Sequence, residues 1–576
     1  MGLLIFLVIS YLVLCYSLSL VFAKAIPNLP EGMSLKTTDA WIPVVNFMKW
    51  AELVGRNGTF AFWLLVPLVN VFIFAGLCVD LARSFSQFKF WDSFLAVVAS
   101  PIYFYLLGNK AEATYDGPIL KKEKEYAQSI ATAYTRGEKR KADRLISENP
   151  YKRSGAREWA EAIIFAVSAA ALIRLFVFEM FTIPTSSMEG SLLVGDYLLV
   201  SKMHYGIRTP KTIAMIPLLH NRLPFDLGES YFEKPSLEMT RLPALEEIDH
   251  NDPIVFNYPL GDSVYVLPGR TWSAEDFRFG NVPQTSDHYR QIARGNVELT
   301  TRPLDKKDHY VKRAVAIAGD EVEIRNRDLY INGERAKDAP NIQFKYEVSN
   351  TNGVPLSFDK LYDWGISAED LRDSGIPPVP TLAQETFIAV LNQTQIKKLK
   401  GIDQGIKITA TNQIRPSMDS ARRRTLDPKL QQAYKDYDER NKFVLFPHDP
   451  KNFPDWTKDN YGPITVPKAG VTIAIGPKNI ALYTRIIGVY EGHDLKVNGG
   501  TIIIDGQQAK EYTFEQDYYW AMGDNRHSSE DSRFWGFVPA DHIVGKPLFI
   551  WFSTKDASIG NGIRWNRIFK NATQMN

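Results

Sequence analysis

Four apolar runs mark the first third of the chain. Residues 1–23 carry no charge before Lys24, and 58–79 are likewise uncharged. The run 93–109 is shorter, and 159–178 holds Arg174 near its end. A bilayer core about 30 Å thick needs roughly 20 apolar residues in a helix. The first, second and fourth runs therefore predict membrane spans, the fourth with Arg174 reaching to the headgroups. Pro67, Asn70 and Pro101 interrupt the second and third runs, which predict a short or tilted hairpin. Ala23-Lys24-Ala25 has the small-x-small form of a leader cleavage site. The lack of a positive n-region and the length of the run favour a retained anchor.

Between Lys110 and Arg157, twelve Lys/Arg face seven Asp/Glu in helical stretches such as KKEKEYAQSIATAYTRGEKRKADRLI. A solvated helix explains such a segment, and so does a cytoplasmic linker, because basic flanks stay inside. The fourth span then exits, leaving Lys202 onward extracytoplasmic. Counting back puts the N-terminus outside, 24–57 inside and 80–92 outside, although Arg83 and Lys89 in that outer loop pull the other way.

From Thr182 on, the pattern changes to short strands. LLVGDYLLVSK, DPIVFNYP, HYVKRAVAIAGDEVEI and DLYING alternate or run apolar with β-branched residues, bounded by Gly, Asp, Asn and Pro. Asn332-Gly333, Asn498-Gly499 and Asp505-Gly506 are hairpin dipeptides. Residues 335–465 contain helical pieces, ETFIAVLNQTQIKKLKG and DPKLQQAYKDYDERNK, and predict an inserted α+β subdomain. The segments 312–334 and 484–507 resemble each other as strand, glycine, strand and hairpin, which convergence explains about as well as duplication. The predicted domains are a membrane region 1–109, a linker 110–157, a span 158–181, a β-core in two parts (182–334 and 466–576), and the insertion 335–465. The fold class is a membrane-anchored, mainly β domain.

Composition narrows the chemistry. A formal charge of +2 gives no sign of a nucleic-acid partner. Cys15 and Cys78 both lie in apolar runs, which excludes disulfides, thiolate catalysis and cysteine-bound zinc from the polar two-thirds. The nine histidines are scattered without H-E-x-x-H spacing, so neither a metal nor a cofactor is expected.

The stretch FEMFTIPTSSMEGSLLVGDYLLVSK places Ser186 and Ser187 in a Pro-led turn just after the fourth run. A serine hydroxyl needs a base to act as nucleophile, and no histidine stands in a G-x-S-x-G or triad-like context. A lysine kept neutral by burial could serve, and Lys312 sits between Val311 and Arg313 in an apolar strand. An edge lysine pointing to solvent fits the same residues. A third stretch, WAMGDNRHSSEDSRFWGFVP (520–539), is dense in small polar groups between aromatics. It reads either as a surface turn cluster or as a buried hydrogen-bond network.

In order, F-x-I-P-T-S-S-M-x-x-x-L-L-x-G-D, Y-V-K-R-A-V-x-x-x-G-D and M-G-D-N-R-x-S-S-x-D-S-R-x-W-G-F-V resemble bacterial type I signal peptidase, also called leader peptidase. IRLFVFEMFTIP and DPIVFNYP (252–259) match that family's preceding span and its short strand box. The resemblance covers about 160–260, 308–335 and 460–550. It implies Ser187 as nucleophile, Lys312 as general base, and the Ser187 N–H with the Thr185 hydroxyl as oxyanion hole. It implies Ser529 as the residue orienting the lysine, an Asp531–Arg533 brace, and Asp524 supporting the lysine strand or Arg313. Met188, Leu192, Ile183, Pro184 and Tyr310 would line a small S1 pocket, and Phe181, Ile183, Leu198 and Val311 an S3 pocket. Such pockets accept Ala-like side chains at −1 and −3. Implied partners are preproteins bearing signal peptides, membrane lipid and the secretion machinery. The implied location is a multi-pass place in the cytoplasmic membrane with the catalytic domain outside.

Several positions depart from the pattern. Gly190 stands where the family often has proline, His527 where Asp or Asn is common, and His250-Asn251 replace an Arg-Gly. Residues 24–110 lie outside the minimal family pattern, with no role beyond extra anchoring. Two other classes compete. A non-catalytic binding module has no need to keep Ser187, Lys312 and Ser529 together, and a self-cleaving repressor requires a helix-turn-helix that is not visible.

Overall fold

The computed structural model describes residues 2–219, 221–223, 228–268, 270–282, 286–350, 386–402, 405–410 and 444–573. The chain divides into two compact units, Met1–Ser168 and Ala169–Asn576.

The first unit is helical. A long helix, Gly2–Ala25, carries the first apolar run. The second run is not one helix: a 3-10 stretch Gly58–Leu65 ends before Pro67, Leu68 takes φ +66°, and a helix resumes over Val69–Ser84. The same break follows Pro43, where Val44 has φ +70° before the helix Val45–Val54. The third run splits into Phe90–Val98 and Ser100–Asn109, with Pro101 in the first turn of the latter. Proline lacks the amide hydrogen that a continuous helix needs, so each expected hairpin arm is divided. Leu18, Phe22, Trp50, Leu77 and Phe104 form the core. Among the described residues two helices are long and apolar enough to cross a membrane, Val8–Asn28 and Gly155–Phe176.

The second unit is mainly β. Its central sheet has seven strands: β1 Phe178–Thr182, β2 Asp196–Ser201, β3 Asp252–Asn257, β4 His309–Ala316, β5 Tyr518–Met522, β6 Val538–Pro539 and β7 Ile543–Ser553. The order is β1-β2-β7-β3-β4-β5-β6, antiparallel throughout. The last strand in the sequence thus lies in the middle of the sheet. A Cβ on Gly545 would stand 2.1 Å from the Ser201 carbonyl oxygen, so only glycine lets β7 approach β2 this closely. Gly545→Ala is expected to lower the unfolding midpoint of this second unit by several degrees in a calorimetric scan, since the clash is with backbone.

Two readings of the sequence change here. ETFIAVLNQTQIKKLKG is a strand, Thr386–Leu391, followed by a helix, Gln393–Ile402. Asn392 and Gln395 exchange side chain-to-backbone hydrogen bonds at 2.9 Å, a capping box that starts the helix halfway along the segment. The expected helix DPKLQQAYKDYDERNK lies outside the described residues. The apparent repeat of 312–334 at 484–507 fails in its first half. Ile480–Arg485 is α-helical and Ile486–Tyr490 continues as a π-turn, where a strand was expected. Ile486 and Ile487 are buried in the core around Trp520, and that packing overrides their β preference. Two hairpins hold: Asn332-Gly333 and Asp505-Gly506 both take positive φ, as a tight type I′ turn requires, while the third turns one residue later, on Gly499-Gly500, because Asn498 pairs with Thr501.

Candidate active site

Ser187 sits in a 3-10 turn, Ser186–Met188, between β1 and β2. The turn is closed by Glu189 N–H donating to Ser186 O at 2.8 Å and Leu192 N–H to Met188 O at 2.8 Å. Lys312 lies mid-strand on β4, opposite Ile254 of β3. Its Nζ is 2.7 Å from Ser187 Oγ and donates to Val311 O at 3.1 Å. Lys312 is 2% exposed and Ser187 8%. Lys312 is therefore not a solvated edge residue. Burial pulls its pKa down to about 8, against the opposing pull of Asp531, Glu530 and Asp524. A neutral amine at this distance has a lone pair for the serine proton.

The 520–539 stretch is the buried network rather than the surface cluster. Asp531 is bonded by Arg533 Nε at 2.9 Å and Nη2 at 2.8 Å, both side chains fully enclosed. Burial pushes the Asp531 carboxyl up, and the Arg533 guanidinium outweighs it, leaving the pKa below the ordinary value. Asp524 receives Arg313 Nε at 2.8 and 3.0 Å, while Arg313 also donates to Asn251 O and Ser191 Oγ. Ser529 departs from the expectation. Its hydroxyl is buried and makes no hydrogen bond among the described residues, so the lysine-orienting contact is absent. Ser529 packs against Gly523, where a Cβ would stand 2.3 Å from Ser529 Oγ and 2.5 Å from Ser187 O. Gly523→Ala is expected to displace the Ser187 carbonyl and cut any reaction that runs through Ser187 by about tenfold or more in kcat at unchanged KM.

Ile183, Met188, Leu192 and Leu198 share one apolar cluster, with Phe181 and Val311 packed against it. Tyr310 belongs to the neighbouring cluster and stacks on Tyr258 at 4.5 Å. Pro184 and Thr185 are exposed beside the serine turn.

Sequence reasoning missed Asn525, whose backbone N–H donates to Ser187 O at 3.1 Å and whose Nδ2 donates to Ser186 O at 3.3 Å. The G-D-N-R string was the available signal. It also missed Ser191 as a partner of Arg313. Two of the departures acquire reasons. Gly190 has φ +93°, a conformation closed to proline. His527 joins the loop to two distant segments: its Nδ1 accepts the Lys345 N–H at 3.2 Å, so Nε2 carries the proton donated to Asp459 at 2.7 Å. Burial holds this imidazole below its usual pKa.

A mainly β domain brings a serine hydroxyl against a buried lysine amine, and comparison with known proteins gives the class: the chain carries a peptidase domain. The model of the family "signal peptidase, peptidase S26" matches residues 156–361 and 507–552, and a family of unknown function (DUF5684) matches 38–118. The chain is similar to proteins named signal peptidase I. With that of Haemophilus influenzae it is 46% identical over 67 residues, 11% of this chain and 19% of the relative. With that of Aquifex aeolicus it is 50% identical over 48 residues, 8% and 19%. With that of Helicobacter pylori strain J99 it is 22% identical over 423 residues, 72% and 90%. The high-identity matches thus span about a fifth of the relatives' own length.

Proposed function

We propose that this chain is a membrane-anchored serine endopeptidase that removes signal peptides from exported preproteins, cleaving after small residues at −1 and −3. The observation that carries this reading is the 2.7 Å approach of a buried lysine amine to a serine hydroxyl. Lys312 takes the Ser187 proton as Oγ attacks the scissile carbonyl, and returns it to the leaving amine. The Ser187 N–H and the Thr185 hydroxyl receive the developing oxyanion. Water then repeats the cycle on the acyl-enzyme. Asp531–Arg533 and Asp524–Arg313 hold the two catalytic segments in register. The apolar cluster from Phe181 to Leu198, with Val311, Tyr310 and the exposed Pro184, receives the −1 and −3 side chains of an extended substrate. The span Gly155–Phe176 fixes the serine turn at the outer face, where a scissile bond just past a hydrophobic segment emerges, and the secretion machinery delivers it there.

The test is cleavage of a panel of precursors with Ala or Leu at −1 and −3, followed across pH. Only the Ala substrates should be cut. The reactive form is the neutral amine, so kcat/KM should climb with pH to a plateau above about 8, falling about tenfold per pH unit on the acid side. Equal rates from pH 5 to 10 would exclude lysine as the base.

A further inference from the structure

On the second unit, away from the dyad, a pocket of about 110 Å³ opens beside the last turns of Gly155–Phe176. Four cations line it, Arg174, Lys202, Arg208 and Lys306, against two carboxylates, Glu179 and Asp305. Both carboxylates are already engaged. Glu179 pairs with Arg174 at 2.9 Å and Lys202 at 2.8 Å, and Asp305 accepts from the Thr212 N–H and hydroxyl, each at 2.9 Å.

The other two cations hydrogen-bond only neutral groups among the described residues, and feel the carboxylates Asp305 and Glu179 without a direct ion pair to either. Arg208 donates to Asp541 O and Asn257 Oδ1, both at 2.7 Å. Lys306, 8% exposed, reaches Met215 Sδ at 3.1 Å and lies 5.2 Å over the Tyr231 ring. Burying an ammonium without a counter-charge is costly, and such groups are ordinarily paired. Burial correspondingly lowers the pKa of Lys306, and that of Arg208 to about 10. The remaining wall is apolar, from Leu175, Met215, Pro217, Leu218, Leu219 and Met239.

We propose that this pocket binds a phosphate group carried on an apolar body, the headgroup of a membrane phospholipid, with Lys306 and Arg208 as its cationic ligands. The positive excess calls for an anion, the apolar wall for a glycerol and acyl root. The neighbouring helix, long and apolar enough to span a bilayer, brings both to the same depth. The site requires no peptidase activity and stands whether or not the cleavage reading does.

The full-length protein in detergent is offered palmitoyl-oleoyl-phosphatidylglycerol, the matching diacylglycerol without phosphate, or inorganic phosphate. Retained lipid is counted by native mass spectrometry and phosphate binding by ³¹P line broadening. The wild type should retain one phosphatidylglycerol in preference to diacylglycerol, and its melting temperature should rise only with the former. Lys306→Gln should weaken that retention about tenfold, the size of one lost charge-assisted hydrogen bond, while Lys306→Arg preserves it. Loss of ³¹P broadening in Lys306→Gln without change in lipid retention would assign the site to free phosphate. Equal retention of both lipids by the wild type, with no melting shift and no ³¹P broadening, overturns the site without reference to any variant.

Discussion

Ser187→Ala and Lys312→Ala are each expected to reduce precursor cleavage by about 10⁴-fold or more while leaving precursor binding near its wild-type affinity. The two groups act as one unit, so removing either removes the nucleophile's activation, and the double variant should be no worse than the singles. Lys312→Arg is the sharper variant. It keeps a cation and comparable bulk, but a guanidinium does not give up its proton near neutral pH, so it too should be inactive. Initial rates on a radiolabelled precursor, with competition by an uncleavable peptide to measure binding, decide the matter. Turnover within about tenfold of wild type in any of the three would mean that the 2.7 Å contact is packing rather than chemistry.

The second large effect concerns stability. Arg533→Ala leaves the enclosed Asp531 carboxylate without its directly bonded counter-charge, a change that costs about 3–5 kcal/mol in comparable buried pairs. Arg533 also donates to Lys458 O at 3.2 Å, so a further acceptor is orphaned. Denaturant unfolding should show the loss directly. The double replacement Asp531→Leu with Arg533→Met should recover much of it, because two apolar side chains leave no buried charge behind. If Arg533→Ala alone unfolds no earlier than wild type, the pair does not brace the loop.

What could be read from the sequence was whatever is local. The serine turn, the lysine strand and the polar loop each fall within about twenty residues, yet each alone left more than one reading open, and their expected roles came from the resemblance carried by the three in order. Asn332-Gly333 fixed its hairpin because two positive φ angles suit few other residues. Non-local packing was illegible. Ile486 and Ile487 look like strand residues and become helical because the core around Trp520 takes them that way. Pro67 and Pro101 were visible, yet their effect, a break rather than a tilt, depends on what the severed turns pack against. The cationic pocket draws on several separate segments between Ala171 and Val544, so no sequence window could show it. Ser529 shows the converse: its position in the loop was legible, while its hydroxyl contact was not.

The place of β7 in the sheet has a consequence for biosynthesis. Ser187 belongs to the β1–β2 hairpin and Lys312 to the β3–β4 pair, and nothing in the sheet joins the two halves except the strand ending at Ser553. In a chain still emerging from the ribosome, the sheet leaves Ser187 and Lys312 on separate halves until Ile543–Ser553 has been made. On the proposed reading, the order of synthesis then helps keep a half-built peptidase silent.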